Sequence, residues 1–221
     1  MKPTKTTNYS RSEDLSLERF DEIKIQIEND IASVTAEDLD IFFTESLNDK
    51  RAISFLNYYN KTVLDKEIIN FGEFKHHWAI QWMRKQVYQE FDNHFEETKQ
   101  EIIKNKDIVA FFNKYCRTER DEAAFCCKLF HTILPNEFPP LDNPIRKHFK
   151  IHRMDFIESL LVVKKAYELF IGDNMKTIHL FRQKLQEPKF KFFRVRELSD
   201  LRILDMYYWL KISRNNSSKN N

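Results

Sequence analysis

This sequence predicts an all-α fold, and three observations carry that prediction. Apolar residues recur at steps of about three to five along nearly the whole chain, the spacing of one buried helical face. Strand-like alternation is absent except in one short segment near 189–196. Hydrophobic residues make up 42% of the 221 residues, with 20 Phe and 8 Tyr, so a sizeable core built on aromatic side chains is expected.

The elements follow in order. Residues 1–12 are polar and are expected to be disordered. Leu15, Phe20, Ile23, Ile27 and Ile31 give a first amphipathic helix. Thr35 followed by Asp38 has the form of a capping box, opening a second helix with Leu39, Phe42, Phe43 and Leu47. A third covers about 49–60 with Ile53, Leu56 and Tyr59. A long helical stretch spans about 73–105, beginning with Phe74, Trp78 and Trp82. Ile108, Val109, Phe111 and Phe112 carry the next.

Residues 118–134 read as a helix opened by Thr118 and closed before Pro135. Pro135, Pro139 and Pro140 then stiffen a loop, because proline cannot continue a helix and extends the residue before it. Asp142 with Pro144 two residues on is how a short helix starts: a capping carboxylate, then proline in the first turn. Helices are expected at 153–171, 174–186 and 197–212. The run KFKFFRVR at 189–196 alternates basic and aromatic residues and reads as a short strand or an extended loop. The tail from Arg214 is expected to be disordered. By region, the chain divides into an N-terminal helical region at 13–104 and a second at 105–213, flanked by the two irregular ends at 1–12 and 214–221.

Composition excludes several chemistries. With only Gly72 and Gly172 in the chain, P-loops, dinucleotide fingerprints and nucleophile elbows have no glycines to build them, so no nucleotide cofactor is expected. Cys116, Cys126 and Cys127 are odd in number, lack metal-ligand spacing and follow a polar start, and read as reduced, buried thiols of a cytoplasmic protein. His76, His77 and His94 lack ligand geometry, so no metal is expected either. No apolar run nears the roughly 18 residues of a membrane span.

The net charge of +2 hides an asymmetry. From Asp142 to the end, 17 Lys and Arg stand against 9 Asp and Glu; residues 1–141 hold 19 basic and 25 acidic residues. Such a split fits either a polyanion-facing surface or ordinary solvated helix faces.

The segment CKLFHTILPNEFPPLDNPIRKHF at 127–149 resembles the pattern SKLLHxLxPxxFPxWDxxIRKxxG, found in helical proteins related to the helix-hairpin-helix DNA glycosylase superfamily. A later helix with Tyr167 and Phe170, and the closing Leu204-Asp-Met-Tyr-Tyr-Trp209, which is similar to a terminal xxDxxLW helix, extend the match over roughly 105–212. The resemblance implies an orthogonal helical bundle with a degenerate hairpin, DNA as the partner and no cofactor. It sets Asp142 where glycosylases keep an aspartate that stabilises cationic sugar or activates the nucleophile. The superfamily's glycine-rich phosphate grip is replaced by residues 116–122, which hold no glycine and three acids, Glu119, Asp121 and Glu122. Ala123 or Ala124 falls near the lysine nucleophile of bifunctional members, with Lys128 one turn further on. No cysteine spacing supports an iron–sulfur cluster.

Candidate site residues are therefore Asp142 and Lys128 for catalysis. Arg146, Lys147, Lys150 and Arg153, with Lys189, Lys191, Arg194 and Arg196, are candidates for nucleic-acid contact. From its own residues Asp142 reads as a plain helix cap, its catalytic role coming from the resemblance alone; His131 reads as a hydrogen-bonded histidine rather than a base, and Trp78, Trp82 and Trp209 as core residues. Three functions are consistent with the sequence. These are a glycosylase-like hydrolase, an inactive relative binding nucleic acid or a protein partner, and a helical interaction module without nucleic acid.

Overall fold

The computed structural model describes residues 13–65, 74, 75, 78, 85–117 and 122–217. Trp82, His76, His77, the ends of the expected 118–134 helix and hairpin at 118–121, and the expected irregular start lie outside them. Among the described residues there is no strand; the fold is all-α. No helix there is long and apolar enough to cross a membrane.

Helix α1 (Glu13–Ile31) buries Ile23, Ile27 and Ile31, four residues apart on one face. Helix α2 (Ala36–Asn48) opens on the expected capping box: Thr35 Oγ1 accepts from Asp38 N at 3.1 Å, and Asp38 Oδ2 accepts from Thr35 N at 2.8 Å. Asp49 ends that helix and caps α3 (Lys50–Tyr59), whose last residues widen into a π-type turn at Asn60–Leu64. The long stretch expected to reach residue 105 is interrupted at His94, giving α4 (Lys85–Asn93) and α5 (Phe95–Asn105). Lys106, in the left-handed region at φ 53°, closes α5. The short α6 (Ile108–Phe111) passes into a second π-type turn at Phe112–Cys116.

Helix α7 (Ala123–Ile133) is buried on nearly every side. Beyond the proline loop come α8 (Asn143–His148), α9 (Phe156–Asp173), capped by Asp155, and α10 (Met175–Leu185). The segment expected as a strand or extended loop forms two 3-10 turns instead, at Pro188–Phe193 and Val195–Glu197. Pro188 presets the first turn, and Phe190 and Phe193, three apart, both point inward, matching a three-residue period rather than the two of a strand. The last helix, α11 (Asp200–Ser217), runs past Arg214, into the stretch expected to be irregular; nothing between 214 and 217 is a helix breaker.

One core joins both regions of the chain. Helix α1 lies against α9, and α11 packs on α8, α9 and α10. Phe43 of α2 meets Phe181, Phe190 and Phe193 edge-on, at centroid distances of 6.5, 5.9 and 5.3 Å. Such pairs add about 0.5–1.5 kcal/mol each beyond area burial. Charges bridge the same seam: Asp40 receives Lys184 at 3.1 Å and also Lys189, Asp65 receives Arg194 at 2.6 Å, and Asp30 receives Lys211 at 3.5 Å. Part of the acidic and basic imbalance between the two ends of the chain is thus spent internally.

Candidate functional site

The proline loop is anchored from α7. His131 is fully buried, and its Nδ1 donates to the carbonyl of Phe138 at 2.7 Å. Ser199 N donates to Asn136 Oδ1 at 3.0 Å, and Lys106 pairs with Glu137 at 2.6 Å. With Leu134, Phe138 and Leu141 buried, the loop delivers Asp142 at a fixed place.

Asp142 is extended (φ −139°, ψ 172°), and its Oδ1 accepts the Ile145 N–H at 2.9 Å. The cap is real, as the sequence implied, and it fixes the direction of a half-buried carboxylate.

Lys128 sits deep on α7, 5% exposed, with its ammonium 4.6 Å from the centre of the Trp78 ring. Its carbonyl accepts from Thr132 Oγ1 at 2.8 Å. Burial lowers its pKa, opposed by the negative charges of Asp142 and Asp205 and reinforced by Arg202. A lysine in this state gives up its proton more readily than a solvated one, which is the condition for a nucleophilic amine.

On α11 lies a group of which the sequence analysis named only Asp205, the aspartate of the closing Leu204–Trp209 motif. Arg202 and Asp205, on adjacent turns of α11, form an ion pair with both side chains at most 2% exposed. The guanidinium lies 4.3 Å from the Tyr59 ring centre, and Tyr59 stacks on His131 at 5.6 Å. Burial raises the Asp205 carboxyl to about 7, against the pull of Arg202 and Lys128. Tyr167 is buried nearby, its hydroxyl pushed up by burial and by Asp205 and Asp142. Neither the Tyr167 hydroxyl nor Arg202 Nε has a hydrogen-bond partner among the described residues. An orphaned buried polar group costs about 1–3 kcal/mol, and such groups gather where function requires them. Arg202 and Asp205 are the only charges in the otherwise apolar 201–210, a pattern that marks them out without saying that they are enclosed.

The basic candidates divide. Arg146 is buried: Nε donates to Ser159 Oγ at 3.2 Å, Nη1 to Asn143 Oδ1 at 3.1 Å, and Nη2 to the Met154 carbonyl. Its guanidinium serves the fold beneath α8. Lys147, Lys150 and Arg153 are exposed close along the chain to Asp142. Lys150 holds φ 57°, at the place where the glycosylase-related pattern has its final glycine. Lys189 pairs with Asp40 and Glu187, and Arg194 with Asp65 and Glu197, while Lys191 and Arg196 are exposed. Phe190 and Phe193 face the core and are not presented for stacking, while Phe192 is half-buried.

Of residues 116–122, Cys116, Arg117 and Glu122 are described; Glu122 N donates to the Cys116 carbonyl at 3.2 Å. Among the described residues no group of His, Cys, Asp and Glu could hold a metal ion. Compared with protein-family models, curated proteins and solved structures, the chain matches none.

Proposed function

We propose that the protein is a DNA-associated, glycosylase-like hydrolase using Asp142 and Lys128. One observation carries the reading. Two residues taken from a single motif, fourteen positions apart, are an Asp142 held on a fixed helix cap and a buried Lys128 on which its negative charge acts. In this reading the Asp142 carboxylate faces the positive charge that grows on the deoxyribose as the glycosidic bond lengthens. Lys128, once neutral, is the amine that attacks C1′ and displaces the base. Duplex phosphates are held by Lys147, Lys150 and Arg153, with Lys191 and Arg196 available further off. The orthogonal arrangement of the glycosylase superfamily, with its hairpin degenerate, belongs to the same proposal.

A specific observation favours a second reading, an inactive helical module that binds nucleic acid or a protein partner. Lys184, Lys189 and Arg194 are neutralised within the chain, and Arg146 is internal, which leaves fewer cations for a phosphate backbone than the sequence promised. The experiment that separates the readings is base release from duplexes carrying a panel of damaged bases, with borohydride trapping of any imine. Release lost in Asp142→Asn, and trapping lost in Lys128→Met, supports the enzyme. A wild-type protein that releases nothing, yet binds duplex with steep salt dependence, supports the module.

A further inference from the structure

Helix α8 has six residues, with Asp142 capping its start, exposed Lys147 in its last turn and exposed Lys150 just beyond. So short a helix is not stable by itself, and its neighbours decide where its ends lie. From the core side, Phe149 is 4% exposed and packs on the Tyr208 ring at 5.2 Å. A different part of the chain ties the other side of the turn.

His148 Nε2 lies 2.9 Å from Asp30 Oδ2 on α1, and Gln26 Nε2, one turn before Asp30, donates to the His148 carbonyl at 3.1 Å. With the Asp30 carboxylate as acceptor, the imidazole nitrogen facing it carries the proton. Helix α1 thus holds one residue of α8 by both its side chain and its backbone. Asp30 is held in turn from α11: the Tyr208 hydroxyl donates to its Oδ2 at 3.2 Å, and Lys211 Nζ stands 3.5 Å from its Oδ1. Asp30 and His148 are both half-buried. The apolar face of Ile23, Ile27 and Ile31 already docks α1. The polar bonds at Gln26 and Asp30 add what apolar contact lacks, a fixed direction.

We propose that Asp30 is a positioning residue for the duplex-binding face: through His148 it sets the last turn of α8, and with it the reach of Lys147 and Lys150 toward phosphate. Lys150, at φ 57°, turns the chain directly after this joint, so a displaced His148 carries both lysines with it. The N-terminal helix thereby takes part in a site whose other residues all lie beyond position 127. The inference rests on the reading of Lys147, Lys150 and Arg153 as phosphate contacts.

Charge and position act in opposite directions at Asp30. Asp30→Asn and Asp30→Ala remove the same negative charge, which by itself tightens binding to a polyanion. They differ in the acceptor: Asn keeps an oxygen for the imidazole N–H, and Ala keeps none. Duplex affinity of the full chain is measured for wild type and both variants at several salt concentrations. Asp30→Asn should bind at least as tightly as wild type. Asp30→Ala should bind more weakly than wild type, with a slope of log affinity against log salt shallower by about 0.9, the loss of one phosphate contact. Equal binding by the two variants overturns the proposal and leaves the duplex reading in place.

A second measurement needs no DNA. The amides of Phe149, Lys150 and Ile151 close the end of α8 on the carbonyls of Ile145, Lys147 and Arg146. Their hydrogen exchange should be faster by about tenfold in Asp30→Ala, while α7 keeps its wild-type protection. Gln26→Ala, which leaves the charge untouched, should act in the same direction. Unchanged exchange at these three amides, or an equal loss of protection in α7, overturns the proposal. A wild type that binds no duplex, with the turn loosened in Asp30→Ala, removes the duplex reading and supports the joint alone.

Discussion

Arg202 and Asp205, three residues apart on the closing helix, form an ion pair that water does not reach. Since Asp205 titrates at about 7 in the folded chain and near 3.8 when solvated, its ionisation opposes folding. The contribution to stability is whole below the solvated value and is lost as pH rises through about 7. Thermal unfolding between pH 4 and 8 should show stability falling with pH by an amount on the order of a few kcal/mol from this group. Asp205→Asn should flatten that dependence. A profile with the same slope in both proteins would assign it to other groups.

Asp142 separates its two roles by chemistry. Asn caps helices nearly as well as Asp, so Asp142→Asn should keep the melting temperature close to wild type, whereas Asp142→Ala should cost about 1 kcal/mol. If the carboxylate also acts on a sugar, base release disappears in both variants. Thermal unfolding and base release, run together, decide it.

Lys150 carries a cost that glycine would remove. A side chain in the left-handed region is strained by about 1–2 kcal/mol, part of which glycine gives back through its freer unfolded chain. Lys150→Gly should therefore raise stability by roughly 0.5–1 kcal/mol in chemical denaturation. Lys150→Val, β-branched at the same φ, should lower it.

The exposed and the internal cations should behave differently. Replacing Lys147, Lys150 and Arg153 together by Glu should leave the fold intact and weaken duplex binding for all sequences alike, with a shallower salt dependence. Arg146→Ala should instead cost roughly 2–4 kcal/mol of stability, because Ser159 and the Met154 carbonyl lose a buried partner. Binding isotherms at several salt concentrations, beside unfolding curves, check both.

The three thiols should resist modification. Cys116, Cys126 and Cys127 are fully buried, and burial raises Cys126 and Cys127 well above the ordinary thiol value, which keeps them protonated. A thiol-reactive disulfide reagent should label them only as fast as the chain unfolds. Rapid labelling of the native protein would contradict this.

What could be read from sequence was what local rules govern. The capping box at Thr35 and Asp38 and the cap at Asp142 with Pro144 depend on a few neighbouring residues, and both formed. The alternation in 189–196 misled because Pro188 and the core demand at Phe190 and Phe193 outweigh the two-residue pattern. The break at His94 follows no breaker residue and had no local signal. Arg146, Arg202 and Asp205 escaped for a different reason. Charged side chains are normally solvated, and only the tertiary fold reveals which are enclosed. The acidic Asp40 and Asp65 meet the basic Lys189 and Arg194 across more than a hundred residues, a pairing that a charge count cannot see.

The contact between α1 and α9 sets a timetable for synthesis. Asn174 Nδ2 reaches Glu28 Oε1 at 3.4 Å, although the two are 146 residues apart. At about 5–20 residues per second, the ribosome delivers the second partner roughly 7–30 s after the first. Throughout that interval the apolar stripe of Ile23, Ile27 and Ile31 has emerged without its covering surface. The nascent chain therefore presents an early, prolonged recognition element to ribosome-associated chaperones, and the N-terminal helix is among the last parts of the molecule to dock.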